Sequence, residues 1–235
     1  MPGVLAVLPA FNEGKKLLDT VLKFPKGVVS EVLVVDDGST DATVTEARKY
    51  GVTVISHGRR RGVGAAIRTG IDYALKKNYD IIVVMAGNGK DDPVEIPRLV
   101  QPITEEGYDY VQGSRYLKGG KWGNMPFYRI LATRLYPLVW RFVTRFPATD
   151  VTNGFRAYRL ALFKDKRINI WQDWLDTYEL EYYLHYKVLI LGYKVKEVPV
   201  SKVYPSRKRY TKISPIVGWW KILKPLFCLV LGIKR

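Results

Sequence analysis

The sequence predicts an α/β fold in which a buried, mostly parallel β-sheet is flanked by helices on both faces. Short runs, mostly rich in Val, Ile or Leu, alternate with longer amphipathic stretches through the first half of the chain. The runs cover residues 4–8, 31–35, 52–55, 80–85 and 108–112, and the helix-like stretches lie near 13–24, 41–50, 62–77 and 94–106. Continuous apolar strands separated by helices are typical of covered parallel sheets. Functional residues in such folds gather where the carboxyl ends of strands meet loops.

The pattern changes after residue 115, where large apolar residues are interleaved with arginines. Residues 124–146 predict a helix with Arg134, Arg141 and Arg145 on one face, provided that it continues through Pro137. Two interpretations stay open: a core helix with a solvated basic face, or an amphipathic helix in a membrane interface. Two further elements are predicted downstream, a helix over 176–191 and a returning strand over 194–198.

The chain is strongly basic, with 38 Lys and Arg residues against 22 Asp and Glu residues and a formal net charge of +16. Such a charge predicts an anionic partner, which is a nucleic acid, an acidic membrane surface or a polyphosphate ligand. Residues 201–235 contain nine basic residues and no acidic one, with large apolar residues between them. Because this mixture suits lipid headgroups better than a duplex backbone, the tail predicts membrane association.

The most apolar part of the tail, residues 215–233, is about as long as the shortest membrane-spanning helix. Lys221, Lys224 and Pro225 interrupt it, so the sequence favours a helix that lies in the interface. The single cysteine, Cys228, excludes an intramolecular disulfide and a cysteine-rich metal site. The first apolar run is too short for a signal peptide. We therefore expect a peripheral or monotopic protein on the cytoplasmic face of a membrane.

Two polar motifs follow the first two predicted strands. PAFNE occupies residues 9–13, and DDGSTD occupies residues 36–41. Carboxylates at the ends of neighbouring parallel strands lie on one rim of the sheet, where they can accept hydrogen bonds from a base or a ribose. Asn12, Ser39 and Thr40 also suit helix caps. Capping does not account for two successive aspartates, so the second motif predicts a binding site.

These motifs resemble the two opening motifs of the family 2 glycosyltransferases, which have a GT-A fold. Three further segments are similar to those of dolichyl-phosphate mannose synthases and related polyprenyl-phosphate glycosyltransferases. They are GSRYLKGG at residues 113–120, PFYR at 126–129 and DVTNGFR at 150–156. The resemblance runs from about residue 4 to residue 212, with the motifs in the family's order. It implies transfer of a hexosyl group, with inversion, from a UDP- or GDP-sugar to a polyprenyl (dolichyl-type) phosphate at a membrane surface.

The resemblance also implies roles for individual side chains. The nucleotide-sugar would be held by Pro9, Phe11, Glu13, Asp36, Asp37, Ala86, Gly87, Arg207, Arg209 and Lys212, the last three on a mobile loop that closes over the phosphates. The catalytic group would comprise Asn88, Lys90, Asp150 and Arg115, with Arg115 facing the acceptor phosphate or the donor diphosphate. Tyr128, Arg129 and Arg156 would contact the acceptor or the membrane. They lie on or near a helix that guides the lipid phosphate inward.

One segment departs from the family pattern. After the fourth strand the family carries a DXD-like triplet that binds a divalent cation, Mg²⁺ or Mn²⁺, whereas this chain has MAGNGKDDP at residues 85–93. Aligned on the flanking Met and Pro, the metal carboxylates become Ala86 and Asn88, and a third position that often helps to hold the ion becomes Lys90. Three interpretations stay open. In the first, Asn88 and Asp91 hold a metal. In the second, which the sequence favours, the Lys90 ammonium replaces the cation. In the third, the site is inactive.

Asp92 and Glu95 have a structural interpretation that does not involve a ligand. Asp92 precedes Pro93, and Glu95 follows three positions after Asp92. This spacing predicts a helix N-cap with a capping box. Elsewhere, Gly62 and Gly64 lack the third small residue of a dinucleotide fingerprint, so they predict a tight or phosphate-binding turn before a helix.

The acceptor decides whether the reaction needs a general base. A phosphate monoester is anionic near neutral pH, so transfer to it requires alignment and stabilisation of the departing diphosphate. The sugar hydroxyl acceptor of a glycan-extending transferase would require a carboxylate base, and the candidates are Asp176, Glu179 and Glu181. A non-catalytic basic nucleotide- or nucleic-acid-binding module would show a basic stripe with stacking aromatics. The basic clusters instead flank a predicted donor pocket and an apolar tail, so we expect no nucleic-acid partner.

The expected organisation is one GT-A catalytic domain over residues 1–200, with a nucleotide half at about 1–115 and an acceptor half at about 116–200. Residues 201–235 are expected to add the basic loop and an amphipathic, membrane-associated tail.

Overall fold

The structure is a computed structural model, and it describes residues 2–204 and 217–234. The strands within these residues are β1 (Val4–Ala10), β2 (Glu31–Asp36), β3 (Thr53–Ser56), β4 (Ile81–Val84), β5 (Tyr110–Ser114), β6 (Lys121–Gly123), β7 (Arg156–Arg159), β8 (Val195–Pro199) and β9 (Ser201–Val203). The helices are α1 (Lys15–Val21), α2 (Thr43–Lys49), α3 (Val63–Lys76), α4 (Ile96–Glu105), α5 (Phe127–Thr144), α6 (Glu179–Ile190) and α7 (Val217–Val230).

The described strands form one large sheet in the order β3-β2-β1-β4-β7-β5-β8 and a small sheet in which β6 pairs with β9. Strand β7 is antiparallel to its neighbours β4 and β5, and the other pairs of the large sheet are parallel. This is the mostly parallel mixed sheet that the sequence predicts. The carboxyl ends of β1, β2, β4 and β5 therefore lie along one edge.

Helices cover both faces of the large sheet, as predicted. Successive side chains of a strand point to opposite faces, and β1 shows this directly. Leu5 and Val7 pack in one apolar cluster with residues of α3 and α6. Ala6 and Leu8 pack in a second cluster with residues of α1, α2 and α4. The continuous apolar run at the start of the chain is thus a strand that is buried on both sides.

Strand β7 and the small sheet are the elements that the sequence pattern does not predict. Arg156 and Arg159 end β7, and only Ala157 and Tyr158 lie between them. Such a short segment carries no alternating or continuous apolar signal. It becomes a strand because it fills the space between β4 and β5 and pairs with both.

Helix α5 continues through Pro137 and ends at Arg145, which adopts a left-handed conformation with φ of 59°. Arg134 and Arg141 are exposed on the helix, as predicted. Arg145 lies beyond the last helical residue, so the expectation that it shares the same helical face is wrong. The Arg134 guanidinium also lies 5.1 Å from the ring centroid of Tyr116, so it is not simply solvated.

Helix α7 packs against α5 and α6 through one side. Ile222 and Leu226 join the buried aromatic residues Tyr136, Trp140 and Tyr182 in a third apolar cluster. The Tyr136 hydroxyl donates a hydrogen bond of 2.9 Å to the carbonyl oxygen of Ile222. Across residues 2–204 and 217–234, no helix combines the length and the apolar character that crossing a bilayer would need.

The first turn of α3 lies against the backbone of residues 175–177. The Ala65 N–H donates to the Asp176 carbonyl oxygen at 3.0 Å. A Cβ atom on Gly64 would lie 2.1 Å from the Leu175 carbonyl oxygen and 2.5 Å from that of Thr177. Gly64 therefore permits a close contact between two backbone segments, which the sequence shows only as a glycine-containing turn.

Gly64→Ala is expected to lower the free energy of unfolding by about 3 kcal/mol, the upper end of the usual cost of overpacking. Gly51→Ala is the control, since a Cβ there would meet nothing within 4 Å although φ is +72°. It should cost only about 1 kcal/mol for the left-handed conformation. Urea denaturation followed by circular dichroism measures both, and equal losses would contradict the close contact.

Candidate active site

Hydrogen bonds between side chains and backbone join the loops that follow β1 and β2. The Asn12 N–H donates to Ser39 Oγ at 2.9 Å, and the Thr40 N–H donates to Asn12 Oδ1 at 2.8 Å. The Glu13 N–H donates to Thr43 Oγ1 at 3.0 Å. Asn12, Ser39 and Thr40 thus hold two loops together and do not cap α1 and α2, so the capping interpretation is wrong. These bonds fix the backbone of the PAFNE motif beside the DDGSTD motif.

Asp36 stabilises the turn that follows β2. Its side chain accepts hydrogen bonds from the Ser39 N–H at 2.9 Å and the Ser56 hydroxyl at 2.6 Å. Burial by itself raises the pKa of Asp36, but the hydrogen bonds from Ser39 and Ser56 outweigh it and leave this pKa below its ordinary value. Asp36 is therefore a buried carboxylate that stays ionised at neutral pH.

Asp37 fixes the loop that precedes α3. Its carboxylate accepts the N–H groups of Arg61 at 2.7 Å and Gly62 at 2.9 Å. The same loop carries Arg60, whose guanidinium lies 4.6 Å from the ring centroid of Phe11. The two successive aspartates thus have an internal structural role that the sequence analysis missed. Arg60 thus contacts a candidate nucleoside-binding residue, Phe11.

The loop after β4 lies beside the end of β1. The Gly87 N–H donates to the Pro9 carbonyl oxygen at 3.3 Å. A Cβ atom on Gly87 would lie 2.7 Å from Leu17 Cδ1, so a larger residue would push this loop away from β1. The Lys90 N–H donates to Asn88 Oδ1 at 3.3 Å within the loop. Residues 86–90 therefore form one edge of the site whose other edge is the PAFNE motif.

Asp92 begins the 3-10 helical turn Pro93–Glu95, and its side chain accepts the Val94 N–H at 3.2 Å. This confirms the predicted N-cap. The capping box is wrong, because the Glu95 carboxylate accepts the Ser201 N–H at 2.6 Å. Glu95 therefore joins this turn to β9.

Asp91 and Lys202 form a buried ion pair across the site. Lys202 Nζ lies 2.5 Å from Asp91 Oδ1 and also donates to Asn153 Oδ1 at 3.1 Å. The two residues are further joined by an antiparallel backbone bridge. Sequence reasoning missed Lys202, because its burial depends on β9 pairing with β6, and β9 is a three-residue strand without a distinctive pattern.

Cations gather around the ring of Tyr204. The Lys90 ammonium lies 4.9 Å from its centroid, and the Arg129 guanidinium lies 5.5 Å from it. Burial and then the charge of Lys202 lower the pKa of Lys90 to about 8, although Glu13 and Asp91 act in the opposite direction. Three basic side chains from the β4 loop, α5 and β9 thus form an electropositive cluster, which we call the cation cluster: Lys90, Arg129 and Lys202.

Arg115 and Asp150 form a second buried ion pair. Arg115 is 2% exposed, and its Nε and Nη2 atoms lie 2.6 and 2.8 Å from the two carboxylate oxygens of Asp150. Nη2 also donates to Thr152 Oγ1 at 2.6 Å. Burial raises the pKa of Asp150, but Arg115 outweighs this and holds it below its ordinary value. The pair locks the end of β5 onto the segment before β7.

The profile of the family described as Glycosyl transferase family 2 matches residues 6–166. The chain belongs to this family. This confirms the family resemblance, and the protein is a glycosyltransferase. Family membership favours an enzyme over a nucleic-acid-binding module.

Two relatives and one solved structure are similar to this glycosyltransferase. Undecaprenyl-phosphate mannosyltransferase of Micrococcus luteus is 32% identical over 224 residues, which are 92% of this chain and 89% of the relative. Polyprenol monophosphomannose synthase of Mycolicibacterium smegmatis is 30% identical over 204 residues, 84% of this chain and 76% of the relative. Glucosyl-3-phosphoglycerate synthase from Mycobacterium tuberculosis, in complex with Mn²⁺, UDP and glucosyl-3-phosphoglycerate, has a TM-score of 0.70 at 20% identity, covering 100% of this chain and 81% of that one. The last likeness supports a GT-A-like fold.

Several of the expected site residues of the glycosyltransferase lie elsewhere than expected. Arg115 was expected to face phosphates, but its guanidinium is committed to Asp150 and Thr152. Arg156 was expected near the acceptor, but it is buried on β7 and donates to the carbonyl oxygens of Asn153 at 2.8 Å and Glu181 at 2.7 Å. Both arginines thus stabilise the interior beside the site. Arg207, Arg209 and Lys212 lie outside the described residues.

The carboxylates considered as general bases have partners inside the protein. Asp176 accepts a hydrogen bond from Arg68, and Glu179 accepts one from the Thr177 hydroxyl. Glu181 Oε1 lies 3.8 Å from Arg156 Nε. All three carboxylates thus have a structural contact, and a role as general base stays a prediction for each.

The loop that carries a DXD-like triplet in the family does not fit a divalent cation here. Ala86 has no side-chain oxygen, and the Asp91 carboxylate is paired with Lys202. The interpretation in which Asn88 and Asp91 hold a metal stays a prediction. Lys90 brings a positive charge to the same loop. Across the parts of the chain that the structure describes, no three or more His, Cys, Asp or Glu side chains are grouped as metal ligands would be. Hard cations prefer several oxygen ligands, and in this loop the positive charge of Lys90 lies close to the Asp91 carboxylate.

Asp150→Asn is expected to lower the free energy of unfolding by about 3–5 kcal/mol, because it leaves the buried Arg115 charge without its carboxylate. Asp72→Asn is the matched control, since Asp72 pairs with Lys76 at 2.7 Å on the surface of α3. It should cost no more than about 0.5 kcal/mol. Denaturant unfolding of the two variants measures the difference, and a small loss for Asp150→Asn would contradict the buried pair.

Proposed function

We propose that this glycosyltransferase moves a hexosyl group from a UDP- or GDP-sugar to a polyprenyl phosphate at a membrane surface, with inversion. One observation carries the proposal. The cation cluster lies at the carboxyl edge of the sheet, and Arg129 belongs both to this cluster and to the first turn of α5. The outward side of α5 is rich in exposed apolar residues. A cationic pocket beside an apolar helix suits an acceptor that combines a phosphate with a hydrocarbon chain.

The donor is proposed to bind between the PAFNE loop and the loop after β4. Pro9, Phe11 and Glu13 would line the nucleoside side, and Lys90 would face the diphosphate. Asp36 and Asp37 would act by shaping the loops around the base and the ribose, as their hydrogen bonds support. Ala86 and Gly87 would border the donor, and Gly87 lets their loop pack against Leu17. Arg207, Arg209 and Lys212 remain proposed as a basic loop over the phosphates.

The proposed reaction is a single displacement. An oxygen of the acceptor phosphate attacks the anomeric carbon and forms a new C–O bond. The bond from that carbon to the donor diphosphate breaks, and the electron pair leaves with the nucleoside diphosphate. The acceptor is already anionic, so the step needs no general base, which agrees with the internal partners of Asp176, Glu179 and Glu181. Nearby cations would stabilise the leaving group.

The membrane surface is proposed to meet α5. The large apolar side chains exposed on this helix are Phe127, Tyr128, Leu131, Leu135, Leu138, Val139 and Phe142, the last of them 89% exposed. Such a contiguous apolar surface is unusual for a protein that does not bind a partner or a lipid. The net charge of +16 favours an anionic leaflet. These features support a peripheral or monotopic enzyme, which we place on the cytoplasmic face.

The function is tested with purified protein, polyprenyl phosphate and a panel of labelled GDP- and UDP-sugars. We expect label to enter the organic phase with at least one donor. Arg129→Gln should lower kcat/KM for polyprenyl phosphate by about tenfold or more, because a charge-assisted contact is lost. Arg48→Gln, on the exposed end of α2, removes the same charge and should leave the rate unchanged.

Label that enters a water-soluble glycan, and never the lipid, would instead support the glycan-extending alternative. No transfer from any donor to either acceptor would reject the proposed function.

Leu135→Glu/Leu138→Glu is expected to weaken binding to vesicles of mixed phosphatidylcholine and phosphatidylglycerol by about tenfold or more, because burying these leucines supplies apolar free energy. Leu22→Glu/Ile190→Glu makes the same change at exposed sites outside α5 and should bind normally. Co-sedimentation measures both variants. Equal binding by the two would mean that α5 does not contact the membrane.

A further inference from the structure

The glycosyltransferase has Ala86 and Asn88 where its family carries the carboxylates that hold a divalent cation, and two lysines, Lys90 and Lys202, lie at the same loop. We propose that the ammonium groups of Lys90 and Lys202 together replace the cation at the donor diphosphate, and that Asp91 holds Lys202 in position. This inference rests on the proposed use of a nucleotide-diphospho-sugar. It assigns the central role to Lys202, a residue that no sequence motif marks.

The two lysines approach the same loop from different parts of the chain. Lys90 belongs to the loop after β4, and Lys202 belongs to β9, which is joined to this loop by the backbone bridge to Asp91. The Val203 N–H donates to the Lys90 carbonyl oxygen at 3.0 Å. The backbone therefore fixes both residues in register, and neither ammonium depends on a flexible surface segment.

The contacts of Lys202 leave it capacity for a ligand. An ammonium has three N–H donors. Two of them have acceptors in the described part of the chain, which are Asp91 Oδ1 at 2.5 Å and Asn153 Oδ1 at 3.1 Å. Among the described residues no acceptor is assigned to the third donor, and the proposal gives it to a phosphate oxygen. The neighbouring Asn153 Nδ2 is buried and has no acceptor among the residues that the structure describes.

The charges support an anionic ligand and not a cation. Asp91 and Glu13 contribute two negative charges near Lys90, and Lys90 and Lys202 balance them with two positive charges. The Arg129 guanidinium lies over the same Tyr204 ring as the Lys90 ammonium and adds another. A divalent cation placed here would be repelled by these ammonium groups, whereas a diphosphate would be attracted. Lysines act as point charges and do not need the fixed ligand geometry of a metal.

Burial explains how lysines can stabilise a diphosphate in place of a divalent cation. Lys202 is 8% exposed and Asp91 is 4% exposed, so water screens their charges little. Electrostatic interactions are stronger in such a site than in water, and preorganised charges need no rearrangement when the leaving group departs. Asp91 offsets the cost of burying Lys202. The same pair therefore keeps the ammonium charged and keeps it in place.

The test is isothermal titration calorimetry with UDP and GDP, in excess chelator and in excess Mg²⁺ or Mn²⁺. For the unchanged protein, we expect the Kd of the bound nucleotide to agree within about twofold under all these conditions. Lys90→Met should weaken this binding by about tenfold or more in chelator. It should change the binding of the corresponding monophosphate, UMP or GMP, by less than about twofold, because the β-phosphate is the group that the lysines contact.

Lys202 is tested with the double variant Asp91→Asn/Lys202→Met, because Lys202→Met alone leaves a buried carboxylate unpaired and risks unfolding. The double variant should also weaken the binding of the diphosphate by about tenfold or more and leave the binding of the monophosphate unchanged. Lys196→Met is the control, since Lys196 pairs with Glu106 on the surface at 2.6 Å. It should bind both nucleotides normally.

Three results would be decisive against one or both proposals. Binding of UDP or GDP that appears only with Mg²⁺ or Mn²⁺ would overturn the replacement of the cation and leave the transferase function standing. Metal-independent binding that survives both lysine variants would overturn the role of the lysines. No binding of either diphosphate under any condition would reject the proposed function itself.

Discussion

The ion pair between Asp91 and Lys202 connects residues that are 111 positions apart in the sequence. It joins the loop after β4, which lies at the centre of the parallel sheet, to β9, which follows the last strand of that sheet. Without Asp91, the Lys202 ammonium would be a buried charge without a counter-charge. Without Lys202, the Asp91 carboxylate would be a buried charge without a counter-charge. Either change costs several kcal/mol in proteins, about 3–5 kcal/mol for a fully buried pair. Tyr204, whose ring lies close to Lys90 and Arg129, follows two residues after Lys202.

Four basic residues in and beside the site, Arg115, Arg156, Lys90 and Arg129, fall into two groups with different physical roles. Arg115 and Arg156 are almost completely buried, and their donors are used by Asp150 and by backbone carbonyl oxygens. A guanidinium suits this task, because it is planar and offers several donors in fixed directions. Lys90 and Arg129 lie at the edge of the site over an aromatic ring. Stability thus depends on the first group, and the proposed chemistry depends on the second.

The DDGSTD segment illustrates how one motif serves both folding and binding. Asp36 and Asp37 accept hydrogen bonds from the loop after β2, the end of β3 and the loop before α3, and so they position the backbone around Phe11. Neutralising either residue would therefore disturb the shape of the donor site even if neither carboxylate touched the donor. In the same way, α5 contributes Tyr136 and Trp140 to the interior and an apolar outer surface to the proposed membrane contact. One helix thus stabilises the domain and presents a surface.

The sequence by itself determined the α/β class, the positions of the main strands along the chain, the family and the loops that form the site. These depend on local signals, such as continuous apolar runs and short motifs after strands, which are visible without tertiary contacts. It could not reveal β7, β9 or the burial of Arg115, Arg156 and Lys202, because a charged residue in a short polar segment normally predicts a solvated surface. Only the tertiary structure decided which charges became paired. The pairing of Asp91 with Lys202 requires the chain to return to the loop after β4, and the free energy of a buried charge depends on that partner and not on its neighbours in the sequence.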